Sequence, residues 1–162
     1  HPDTLVLDWY EDFAQRYRSI EPGRPGLGEQ FQNTLLNTDD RLEINEIVLG
    51  VNVGEEFRAY VLDDFSGGLS AVNDTLGGVP IVVFIDAEKA FALAFESTVN
   101  GELLSFSSDG STLIDDQGNT WSLEGEALAG PLSGSQLAYV TSFVTEWYGW
   151  VAYHPESTIF GE

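Results

Sequence analysis

The chain has 162 residues, 43% of them hydrophobic with ten Phe, which is enough for one hydrophobic core and argues against disorder. Its 27 acids face six bases for a net charge of −21, which makes nucleic acid and anionic membranes poor partners. Cysteine and methionine are both absent, which excludes thiol catalysis, disulfides and zinc–thiolate sites.

Lys89 is the only lysine, against five arginines. Acid-rich and lysine-poor composition resembles that of halophile or marine exported proteins. A folded chain of this mass exposes roughly 8,000 Å², which spaces its net charges about 20 Å apart. That exceeds the ~8 Å Debye length at physiological salt, so repulsion alone does not demand brine. No run approaches the ~18 apolar residues of a membrane span, and membrane insertion is not expected. The expected location is extracellular or at the cell surface, with any signal removed or outside this chain.

In chain order, "TLVL" at residues 4–7 reads as a short strand. Trp9, Phe13, Tyr17 and Ile20 then share one face of a short helix. The prolines and glycines of "EPGRPGLG" end it, and the text stays polar and loop-like through residue 43. From Ile44 the period changes to two. "IVLGVNVGEEFRAYVL" reads as a hairpin turning at Gly54-Glu55, and "LSAVNDTLGGVPIVVFI" as a second turning at Gly77-Gly78. "KAFALAFESTV" and "ELLSFSS", joined by Asn100-Gly101, make a third. "STLIDDQGNTWSL" makes a fourth around Gln117-Gly118-Asn119. Thr141 or Ser142 then caps a helix with Phe143, Trp147, Trp150 and Val151 on one face, stopped before Pro155.

The expected fold is all-β to β-dominated α+β: a twisted antiparallel sheet or partly closed barrel of hairpins, with a C-terminal aromatic helix packed on it. Residues 1–43 form an N-terminal strand, helix and loop segment, and residues 44–162 the antiparallel domain.

Four phrases, "VLGVNVGEEFRAYVL", "VNDTLGGVPIVVF", "GNTWSLEGEALAGPLSG" and "WVAYHPES", resemble in order and spacing those of DUF3179, an uncharacterised bacterial and archaeal domain family. Members often contain two related halves, each ending in an HPDT-like phrase. The resemblance implies that "HPDTLVL" at the start is the tail of a preceding half, so that the chain corresponds to a second half. First halves often carry a phrase resembling YCPLCGT after the second hairpin, where this chain has "FIDAEKAFALAF" with neither cysteine nor histidine. The family brings no activity, cofactor or catalytic residue to carry over.

Several groups of residues invite a chemical reading. His1 and His154 each precede proline, and His154 follows a helix whose last carbonyls it can bond. Metal binding by this pair is the lesser alternative. Asp39, Asp40, Glu43 and Asn45 in "NTDDRLEINE" are the best candidate cation site, for Ca²⁺, although the loop lacks EF-hand order. Solvated turn acids are the plainer explanation, here and at Asp63-Asp64 and Asp115-Asp116. Trp147 and Trp150 read as core, and Tyr148 and Tyr153 as looser candidates for a glycan platform. Asn73-Asp74-Thr75 is a glycosylation sequon, also explained by the nearby turn. No G-x-S-x-G or phosphate-loop pattern is present.

The expected function is an exported, non-enzymatic structural or self-assembling β module. Its partner is itself, head to tail, or sibling domains, joined through Thr4, Leu5, Val6 and Leu7 as an added strand. A cation- or glycan-binding module is the alternative, and an enzyme of unknown class the third. No cofactor beyond Ca²⁺ is implied.

Overall fold

Strand β4 (Val79–Asp86) organises the fold, because both of its faces are buried in different cores. Successive side chains of a strand point to opposite sides. Ile81, Val83 and Ile85 therefore join Leu49, Val51, Tyr60 and Leu76, while Val82 and Phe84 join Phe95, Phe106, Leu113 and Trp121. The structure is a computed structural model and describes residues 28–65 and 67–162. The expected strand at residues 4–7, the helix over 9–20 and His1 lie outside the described residues.

The protein is β-dominated, with several antiparallel sheets and one short C-terminal helix. After the single-turn helix α1 (Glu29–Gln32), β1 (Ile47–Val53) and β2 (Glu56–Val61) form the first hairpin at Gly54-Glu55. β3 (Leu69–Leu76) and β4 form the second at Gly77-Gly78. β5 (Phe91–Glu96) lies on the far side of β4. β6 (Thr98–Val99) and β7 (Glu102–Leu103) make a small ribbon around Asn100-Gly101. β8 (Phe106–Ser108), β9 (Leu113–Asp115), β10 (Thr120–Trp121) and β11 (Ala127–Ala129) form one sheet. β12 (Tyr139–Val140) joins β5, and β13 (Ser142–Glu146) joins β1. Helix α2 (Trp147–Val151) crosses to β14 (Thr158–Ile159), which adds to β2 in parallel.

Two expectations about elements are corrected. The third hairpin does not run from residue 91 to 108. Ser97 breaks it by donating its N–H to the Pro80 carbonyl, and Phe91–Glu96 pairs with β4 instead. The aromatic helix begins at Trp147, four or five residues later than the Ser142 or Thr141 cap implied. The stretch "SFVTE" is a strand because its β-branched Val144 and Thr145 suit a ladder with β1. Phe143 consequently leaves the buried stripe, half-exposed on β13 against the Trp150 ring.

The sheets β12-β5-β4-β3 and β11-β10-β9-β8 enclose the second core without closing a barrel. Single hydrogen-bonded stitches link the two sheets where ladders stop. On one side the Asn73 side chain acts as a piece of strand: its Nδ2 donates to the Phe106 carbonyl at 2.7 Å, and its Oδ1 accepts the Phe106 N–H at 2.8 Å. On the other, Leu137 N–H bonds the Gly125 carbonyl.

Helix α2 lies on the outer face of the first sheet, where Trp147, Trp150 and Val151 cover Val48, Ala59 and Val61. Its first residues have no side-chain cap. The strap at residues 37–46 satisfies them from outside: the Glu46 and Ile44 carbonyls accept the N–H groups of Trp147 and Tyr148. At the other end Asn37 Nδ2 donates to the Ala152 carbonyl at 2.9 Å. No helix among the described residues is long and apolar enough to cross a membrane.

Candidate functional site

The closing phrase "HPESTIF" docks on the edge of β2 through the residue types it shares with the start of the chain. The backbone N–H of His154 bonds the Trp150 carbonyl, while its ring lies 4.2 Å from both the Phe57 and Trp150 centroids. Burial there holds the imidazole below its ordinary pKa. Ser157, itself buried, accepts the Trp150 Nε1 proton at 2.8 Å. Ile159 is buried opposite Ala59, and the Phe160 ring stacks on Tyr60 at 5.1 Å.

Between these anchors stands Thr158. Its hydroxyl donates to the Phe57 carbonyl at 3.2 Å and accepts Arg58 Nε at 3.1 Å. Arg58 is fixed in turn: Nη1 reaches Asp74 Oδ2 at 2.6 Å, and the same oxygen accepts the Tyr60 hydroxyl at 2.6 Å. Burial first and the hydrogen bond to Asp74 second push the Tyr60 phenol far above its ordinary pKa, so it remains a donor. Arg58 and Tyr60 share one face of β2 because they are two residues apart, and Asp74 faces them from β3. The four residues Arg58, Tyr60, Asp74 and Thr158 were not singled out from sequence. The signal available for the first three was their place inside the family-like phrases.

A second concentration of polar groups lies under the strap. A cleft of about 1,010 Å³ is lined by Asp39, Asp40, Glu43, Glu46, Trp147 and Tyr148, among others. Three of the four candidate cation ligands therefore meet there. Asn45 is exposed outside the lining. Asp39 is engaged by Arg41, whose Nη2 and Nε reach its Oδ2 at 2.6 and 2.9 Å, and this bonding holds its carboxyl below the usual range. Arg41 also lies 5.5 Å from the Trp147 ring centroid and bonds the Ser157 carbonyl and Glu162. Glu46 is pushed up, first by burial and then by the charges of Asp63, Asp64 and Glu43. Among the described residues no group of three or more His, Cys, Asp or Glu is arranged to hold a metal ion. Of the aromatic candidates, Trp147 and Trp150 are buried, Tyr148 is half-buried, and Tyr153 is 83% exposed.

The phrase "GNTWSLEGEALAGPLSG" builds an internal latch. Asp115, on β9, accepts the N–H groups of Gln117 and Asn119, Asn119 Nδ2 at 2.7 Å and Trp121 Nε1 at 3.0 Å. Asn119, fully buried, accepts the Leu132 N–H. Gly130 is required beside it, since a Cβ there would stand 2.5 Å from Asn119 Oδ1. The Asn73 candidate for glycosylation is likewise engaged, in its bridge to Phe106.

Comparison with known families matches residues 1–157 to DUF3179, described as a protein of unknown function. Neither the curated proteins nor the solved structures compared give a match. With nearly its whole length covered, the chain belongs to the DUF3179 family.

Proposed function

We propose that this chain is an exported structural β module that joins copies of itself through its opening segment. The supporting observation is the docking of the tail phrase, set beside its echo at residues 1–7. Aligned without a gap, His1, Pro2, Asp3 and Thr4 match His154, Pro155, Glu156 and Ser157, and Val6 and Leu7 match Ile159 and Phe160. The opening phrase thus carries the ring that fits between Phe57 and Trp150, a hydroxyl for Trp150 Nε1, and apolar groups for the edge of β2. In an exchange of tails, the opening of one copy takes this edge on the next. Such a head-to-tail contact grows into a filament unless it closes into a ring. The acid-rich, lysine-poor surface supports the exported setting. Sedimentation across a concentration series tests the reading: the full chain forms larger species and the chain lacking residues 1–8 does not. Equal behaviour of the two overturns it.

A further inference from the structure

We propose that Arg58 decides which strand occupies the edge of β2, favouring the chain's own tail over the opening phrase of a second copy. This inference rests on the assembly reading above and names the residue that regulates it. Of the seven aligned positions, one changes from polar to apolar: Leu5 stands against Thr158. Thr158 is the residue whose hydroxyl receives Arg58 Nε and bonds the Phe57 carbonyl. Leucine offers neither group.

Arg58 cannot readily turn elsewhere for compensation. Its Nη1 is held on Asp74, and Asp74 is itself held by Tyr60 and by the Thr75 N–H. The guanidinium side chain is 24% exposed and its Nε bond runs to Thr158, an exposed residue, so water offsets part of the loss. An incoming opening phrase therefore gains the stacking, the Trp150 bond and the apolar contacts, but leaves the Nε donor without its protein acceptor. A hydrogen bond to a charged group lost in this way lowers occupancy about tenfold. The tail also has the advantage of being tethered. A copy keeps its own tail docked until something loosens the Arg58–Thr158 contact, and assembly is restrained rather than spontaneous at low concentration.

The test uses the full-length chain and sedimentation equilibrium. Thr158→Val removes the hydroxyl at nearly constant volume, and Leu5→Thr gives the incoming phrase the missing acceptor. Each is expected to tighten self-association about tenfold. Thr158→Ser keeps the hydroxyl and is expected to match the parent, which separates the bond from general damage to the tail. The gain in Thr158→Val must disappear when residues 1–8 are deleted. If both substitutions leave association unchanged while it still depends on residues 1–8, the role of Arg58 is overturned and the assembly reading stands. If Thr158→Val associates more strongly even without residues 1–8, the role is also overturned. If association never depends on residues 1–8, both fall.

Discussion

Gly50 lies directly beneath the indole of Trp150: a Cβ placed on it would stand 2.1 Å from Trp150 Cε3. A glycine inside a strand weakens it unless something must approach closely, and here the approach is that of the helix that carries the tail. Trp150 in turn holds Phe143, Phe57, His154 and Ser157. Gly50→Ala is therefore expected to destabilise the fold by about 3 kcal/mol in urea unfolding. In a Trp150→Leu background the same substitution costs much less, and equal costs in both backgrounds would break the link.

His154 makes stability depend on pH near neutrality. Burial puts its folded pKa below its ordinary value of about 6.5, so the unfolded chain takes up the proton first as pH falls. Stability is then lost from about pH 6.5 down to the lower folded value and levels off for this group below it. His154→Phe keeps a ring between Phe57 and Trp150 but cannot titrate. The melting temperature of this variant is expected to fall less than that of the parent between about pH 7 and pH 5.

Asp115 has the opposite chemistry and an acidic window. Burial opposes its charge, but the bonds from Asn119, Trp121 and Gln117 outweigh it and hold the carboxyl below the ordinary aspartate value. Its contribution is present above the unfolded value and is lost as pH falls through the folded one. Asp115→Asn puts an amide donor among donors at a buried site, and a loss of about 3 kcal/mol at neutral pH is expected from chemical denaturation. The loss shrinks as the parent itself becomes protonated in acid.

Glu46 is raised rather than lowered, so its charge weakens the fold at neutral pH. Protonation relieves both its burial and its repulsion with Asp63, Asp64 and Glu43. The stability that this proton brings is present below the unfolded value and lost as pH rises through the folded one. Glu46→Gln is expected to stabilise the fold at neutral pH by up to about 1 kcal/mol, read as a higher melting temperature. Molar salt should reduce the gain by screening the neighbouring acids.

The hairpins were legible because turn chemistry is local. Gly54-Glu55, Gly77-Gly78, Asn100-Gly101 and Gln117-Gly118-Asn119 all turn where their composition places them. The break after β5 was not legible, because the Ser97–Pro80 contact joins residues far apart in sequence. The helix boundary was missed for a similar reason. Spacing in "SFVTEWYGW" fits a helix, yet the edge of β1 takes the first five residues as a strand, a tertiary choice that overrides period. For the candidate sites, the acids under the strap could be read as a group because they are neighbours in the chain. Arg58, Asp74 and Thr158 come from three strands, and only the pairing of β2 with β14 and the hydrogen bonds to Asp74 bring them together.

The most direct measurement of the assembly claim uses the absence of native cysteine. In the ungapped alignment Leu5 of one copy takes the place of Thr158, which pairs with Arg58. A Leu5→Cys chain mixed with an Arg58→Cys chain under mild oxidation should give a disulfide-linked mixed dimer. A control mixture with Ser111→Cys, on an exposed loop, should not. Mixed dimers that form faster with Arg58→Cys than with Ser111→Cys are the predicted result. Equal rates, or no mixed dimer with Arg58→Cys, would contradict docking of the opening phrase at the edge of β2.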